Sequence, residues 1–159
     1  MQAALQQGGA TPAPGLPGHV LDWLPVAPER QLAALMANLQ ASGGVMGGDA
    51  VVTLLREHRE QSISWLARSV VRREIVHVSW REQLFVPMFQ FDRNGMKVHE
   101  VVRDVLATLT PVLDDWALAT WFAEPNARLR NRRPADIVGP EPQAVREAAR
   151  LVRRTAAGA

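Results

Sequence analysis

Cysteine and tyrosine are absent from this 159-residue chain, and lysine occurs once, at Lys97. Without cysteine there can be no disulfide, no thiolate nucleophile and no cysteine-ligated zinc, which fits a reducing compartment. The missing tyrosine and scarce lysine also explain an isoelectric point near 10.3 at a formal charge of only +2. Almost nothing titrates between histidine and arginine, so a small excess of arginine drives the value up. A high isoelectric point is therefore no argument for nucleic acid here. No apolar run approaches the ~20 residues that cross a bilayer, and the opening MQAALQQGGATPAPGLPG has neither the basic nor the apolar region of an export signal. The expectation is a soluble, unexported, cytoplasmic protein without a membrane partner.

Catalytic signatures are missing as well. His19, His58, His77 and His99 lack the close spacing of a metal site, and there is no G-x-S-x-G elbow. Asp114-Asp115 sits where a helix should begin, and carboxylates there answer the helix dipole more simply than they suggest acid chemistry. The glycine run GGVMGGD, Gly43 to Asp49, lacks the Lys-Ser/Thr ending of a phosphate loop and reads as a hinge. We expect no enzyme activity, no metal and no cofactor.

The apolar fraction of 47% is that of a globular protein. Residues 1–27 read as a disordered or loosely attached tail. Residues 28–91 read as a helical, winged-helix-like module and residues 92–159 as a helical module packed on it. The overall class is mainly α with one β-hairpin. From Pro28, Leu32, Leu35, Met36 and Leu39 share one helical face. Asp49 is placed to cap a helix with Val51, Leu54 and Leu55 inward, and Ser62 to cap another with Ile63, Leu66 and Val70 inward. IVHVSW and QLFVPMFQF alternate on either side of Arg81-Glu82 and predict a hairpin, with Pro87 favouring an edge strand. Helix, turn, helix, hairpin is the order of a winged helix-turn-helix.

Beyond the FDRNG turn the pattern is helical. Val98, Val101, Val102, Val105 and Leu109 form one stripe, and Pro111 is expected to open a helix running through Phe122. Its two tryptophans, Trp116 and Trp121, fall on different faces, as on a central helix. Pro125 ends it. A turn follows with Leu129 as its apolar anchor, Asn131 in a left-handed conformation and Pro134 in the first turn of a short helix. The last helix, PEPQAVREAARLVRRT, buries Val145, Ala148, Ala149 and Val152 and leaves Arg146, Arg150, Arg153 and Arg154 outside.

Charge is uneven along the chain. Residues 41–125 hold nine basic and eleven acidic side chains, whereas residues 126–159 hold eight basic and three acidic. Arg68 and Arg72 lie one turn apart with Arg73 adjacent, so a DNA-binding reading assigns these three to phosphates or bases. Neighbouring Glu57, Glu60, Glu74 and Glu82 oppose that reading, and a solvated face is its plain alternative.

FVPMFQFD, the valine-striped helix and WALATWFAEPNARLRNRRPADIV together resemble the toxin-binding domain of Xre/MbcA/ParS-type antitoxins. The matching positions are Phe89, Gln90, Phe91, Trp121, Phe122, Pro125, Asn126, Leu129, Arg133, Pro134 and Ile137, and the resemblance covers residues 85–155. The turn position that this family usually gives to glycine is Asn131 here, and the closing helix is richer in arginine. The resemblance implies an antitoxin that neutralises a RES-type, NAD-consuming toxin by covering its active site. It also implies possible operator DNA for autoregulation, and a homo-oligomer or a hetero-oligomer with the toxin. The toxin-binding candidates are Trp121, Asn126, Arg128, Arg130, Arg132, Arg133, Arg150, Arg153 and Arg154. The competing reading is a winged-helix transcriptional regulator without a toxin.

Overall fold

Pro28 at the first position of α1 (Pro28–Leu39) costs no hydrogen bond, and Leu32, Leu35 and Leu39 bury one stripe. A computed structural model of the chain describes residues 27–59 and 63–158. The expected tail and the expected cap Ser62 lie outside the described residues, as does the side chain of Ile63. Met36, expected on the apolar face, is 44% exposed at the edge of the stripe.

The glycine run is more than a hinge. A single 3-10 turn, Gln40–Ser42, leads into Gly43 and Gly44, both at positive φ. The φ of 108 at Gly43 favours glycine, and a Cβ there would stand a tight 3.2 Å from the Cβ of Met88. The chain then forms β1 (Val45–Gly47). Helix α2 (Gly48–Arg59) follows directly, with Val51 and Leu55 buried. Asp49 is inside the first turn of α2, two residues past the cap position at Gly47.

Helix α3 (Ile63–Val71) buries Leu66 and Ser69. Its end is closed by two backbone bonds, Glu74 N–H to Ser69 C=O and Arg73 N–H to Val70 C=O, with Arg73 left-handed at φ 53. This is the Schellman arrangement, which usually takes glycine at the left-handed position. Strand β2 (Val78–Trp80) turns through Arg81-Glu82, both at positive φ, into β3 (Gln83–Pro87). The predicted hairpin is present, but β1 pairs antiparallel on its other side, giving the order β1-β3-β2. Pro87 therefore ends the central strand instead of lying on an edge. It pairs with Val45 at the last position of the ladder, where the next N–H, that of Met88, bonds to Gly44 C=O.

After β3 a 3-10 turn, Met88–Gln90, takes the place of further strand. Gln90 is fully buried, and its side chain supplies what a neighbouring strand would. Its Oε1 accepts from Val76 N–H at 2.7 Å, and its Nε2 donates to Val76 C=O at 2.8 Å and Pro87 C=O at 2.7 Å. Phe91 then bridges to Val98 around a turn in which Asp92 Oδ1 accepts from Gly95 N–H at 2.7 Å. That backbone donor holds the Asp92 carboxyl below its ordinary value.

Helix α4 (Glu100–Leu109) buries Val101, Val102, Val105, Leu106 and Leu109. Pro111 lies in the turn after it and does not open a helix. Helix α5 (Asp115–Ala123) starts only at Asp115, because Asp114 caps it by accepting from Ala117 N–H at 2.8 Å. It buries Leu118, Ala119, Phe122 and Ala123 and packs against α1 and β2. Phe122 meets Phe89 at a centroid distance of 4.9 Å, joining the two halves. Helix α6 (Pro134–Ile137) starts at the expected proline. Helix α7 (Pro142–Gly158) buries Val145, Ala148 and Ala149 against α4, its principal neighbour. Two alanines there let the backbones approach closely. Among the described residues the chain is mainly helical with a small antiparallel sheet, and one apolar core runs through both halves.

Candidate partner-binding surface

The arginine-rich turn between α5 and α6 is a built structure. Glu124 closes α5, and Asn126 Oδ1 accepts from Arg128 N–H at 2.9 Å, capping a single 3-10 turn, Ala127–Leu129. Asn126 also exchanges backbone bonds with both ends of the loop, donating to Arg132 C=O at 3.0 Å and accepting from Leu129 and Asn131 N–H. Leu129 plugs the core at 3% exposure. Asn131 is left-handed as expected, at φ 58, and Arg130 is too, at φ 58 and ψ 42. Two successive left-handed residues reverse the chain so that Arg132 returns beside Asn126.

The arginines divide into two groups. Arg132 forms a two-pronged pair with Glu141, with Nη2 to Oε2 at 2.8 Å and Nη1 to Oε1 on the other prong. Hydrogen bonding to Arg132 holds the Glu141 carboxyl below its usual value, and the same bond raises Arg132 further above the arginine range. Arg133 lies 3.8 Å from Asp136, and its Nε is buried without a partner. Arg146 reaches Asp104 of α4 at 2.7 Å, so it ties two helices together instead of facing free solvent. Arg132 and Arg133, both partner candidates from sequence, are thus engaged within the fold.

Arg128 and Arg130 are exposed, as are Arg150 and Arg154 on α7, and Arg153 is half-buried. None of these five guanidinium groups pairs with an acid among the described residues. Trp121 is half-buried, with its ring edge-on to Phe122 at 5.0 Å and its indole N–H buried and unpartnered. The side-chain oxygen of Asn126 is already committed to the cap. The arrangement therefore offers an arginine set on a pre-shaped turn and the adjoining helix. Such a set suits carboxylates on another protein, because guanidinium groups fork onto them.

The DNA-binding candidates separate in the same way. Arg68 is exposed, with its Nε donating to Ser64 C=O of its own helix at 3.2 Å, and Arg72 is exposed, 3.9 Å from Glu74. Arg73 is not available as the sequence suggested. Its Nε donates to Asp115 Oδ1 at 2.8 Å, Nη1 to Thr110 C=O at 2.9 Å and Nη2 to Leu113 C=O at 2.8 Å. It clamps the end of α3 onto the α4–α5 turn, beside His77, whose Nε2 lies 3.3 Å from Asp115 Oδ2. The clamp compensates for placing arginine where the Schellman turn favours glycine. Sequence periodicity could not find it, because the acceptors lie 37 to 42 residues away. Arg103 also escaped notice. It is an exposed cation on the polar face of α4, set among valines that drew attention to the other face.

No protein-family model matches the chain, and searches of curated proteins and of solved structures returned no match. Among the described residues no helix is long and apolar enough to cross a membrane.

Proposed function

We propose that this chain is an antitoxin of the Xre/MbcA/ParS type, which binds a RES-type, NAD-consuming toxin through its carboxyl-terminal half and covers that enzyme's active site. The observation that carries the reading is the Asn126–Arg133 turn. It is locked by its own backbone bonds, anchored by Leu129, and leaves Arg128 and Arg130 exposed without internal partners. A pre-organised turn loses little conformational entropy on binding, so its contacts convert efficiently into affinity. Residues that carry the resemblance also support it by their positions: Phe89, Gln90, Phe91, Phe122, Leu129, Pro134 and Ile137 are all buried in the shared core. The chain acts by binding, needs no cofactor, and works as a hetero-oligomer with its toxin.

The test is co-expression with the protein encoded beside its gene. The neighbour is expected to deplete NAD and stop growth when expressed alone, and the full chain to restore both. Arg128→Glu with Arg130→Glu should abolish rescue while leaving the thermal melt unchanged. A neighbour that is harmless alone, or rescue that is indifferent to these charges, overturns the reading.

A second reading has its own support. We infer, as this second reading, a winged helix-turn-helix: the order α1-β1-α2-α3-β2-β3 with sheet order β1-β3-β2 supports it, and it would give α3, with Arg68 and Arg72 exposed, the recognition role. On this reading the amino-terminal half binds operator DNA, either for autoregulation beside the toxin or as a regulator without one.

A further inference from the structure

Where α3 ends against α4 the surface is concave. A notch of about 360 Å³ is lined by Arg72, Arg73 and Glu74 from the end of α3 and by Arg103, Ala107 and Thr110 from α4. Arg103, Ala107 and Thr110 recur at helical spacing on one face, and the small side chain of Ala107 leaves the space open beneath Arg103. Three guanidinium groups thus border one depression, with Glu74 in its lining and Asp115 paired to Arg73 beside it. Arg103 has no acidic partner among the described residues. Arg72 has only Glu74 at 3.9 Å, with both side chains more than half exposed, a pair that contributes little in water. Arg73 is fixed by its three bonds and keeps two of its five N–H groups for the notch wall.

We infer that this notch is a phosphate-binding site for the backbone of duplex DNA, with Arg72 and Arg103 as its two mobile ligands and Arg73 as its fixed wall. The inference rests on the DNA-binding reading of α3 and extends it. The duplex footprint crosses from the amino-terminal half onto α4, so the carboxyl-terminal half contributes directly to DNA affinity. Glu74 is the competitor that a phosphate must displace from Arg72. The site is sequence-independent, since a phosphate carries no base identity.

The experiment uses the full chain and two fluorescent duplexes, one from upstream of its own gene and one of scrambled sequence, titrated across a range of salt. Arg103→Gln and Arg72→Gln are each expected to weaken both duplexes roughly tenfold at low salt, the equivalent of one charge-assisted hydrogen bond. Each should also flatten the slope of log affinity against log salt by about 0.9. Glu74→Gln should strengthen binding to both duplexes, a gain that damage to the fold does not produce. Thermal melts check that the variants remain folded. If the wild-type chain binds duplex and Arg68→Gln weakens it, while Arg103→Gln and Glu74→Gln change neither affinity nor slope, the notch is overturned and the DNA-binding reading of α3 stands. If the wild-type chain binds neither duplex at low salt, both fall together.

Discussion

Replacing Gln90 by leucine tests how the end of β3 is tied to the segment that leads into β2. The amide is fully buried and makes three hydrogen bonds to main-chain groups of Val76 and Pro87, with Val76 itself 1% exposed. Leucine fills a similar volume but leaves one N–H and two carbonyls without that partner. Stranding a buried polar group costs about 1–3 kcal/mol, and carbonyls tolerate it better than N–H groups. The larger apolar side chain returns about 1–2 kcal/mol of transfer energy. The balance is a loss of about 3–5 kcal/mol, a large part of the 5–15 kcal/mol that a domain has in total.

The assay is urea unfolding followed by tryptophan fluorescence, with the midpoint expected to fall sharply at unchanged slope. Gln90→Glu supplies the control. At neutral pH its carboxylate would face two carbonyls and should be worse than leucine, whereas the protonated acid regains a donor. Its folded-state pKa is therefore raised, and stability relative to leucine should appear at low pH and disappear as pH rises. A loss below about 1 kcal/mol for leucine would refute the claim that this amide stands in for a strand.

Two further outcomes follow from the clamp and the turn. Arg73→Ala loses the bonds to Asp115, Thr110 and Leu113 and places alanine in a left-handed site, so about 2–4 kcal/mol should be lost, with half-exposure keeping it below a fully buried pair. Arg73→Gly should recover about 1 kcal/mol of that, isolating the backbone term, and equal stability of Arg73→Gly and wild type in urea would eliminate the clamp. Because Arg132 holds Glu141 below its ordinary value, the order this pair gives the turn is present above the usual glutamate range and is lost only as pH falls through the depressed value. Amide NMR of Asn126 to Arg132 should show that acid transition, and Glu141→Gln should abolish it.

What could be read from sequence was local chemistry. Helix starts at Pro28 and Pro134, the hairpin around Arg81-Glu82, the left-handed Asn131 and the Leu129 anchor all depend on residues within a few positions of one another. What could not be read depended on distance. Strand β1 is three residues, Val45–Gly47, the last of them a glycine, too short for alternation to register, and exists because β3 offers it a partner. That extra partner is also why Pro87 lies on the central strand. Arg73 looked like one more surface cation because its acceptors belong to the other half of the chain, and Gln90 looked like one polar residue in an aromatic strand. The site divided likewise: the turn could be placed from sequence, but not which arginines it uses internally.

The same long-range contacts decide how function can be dissected. Removing Pro125 to Ala159 would be the direct way to separate partner binding from the amino-terminal half. Yet α7 buries Val145, Ala148 and Ala149 against α4, and Leu129 and Ile137 fill the core shared with both halves. At about 25 cal/mol per Å² of apolar surface, uncovering α4 alone would cost several kcal/mol, so loss of binding after truncation would report unfolding as readily as a lost interface. Truncating before α4 is no better, since it strips Arg73 of all three acceptors and Phe89 of Phe122. Point changes of exposed, unpaired charge avoid both faults. Arg128 and Arg130 address the protein partner, Arg72 and Arg103 address the duplex, and none of the four anchors the core.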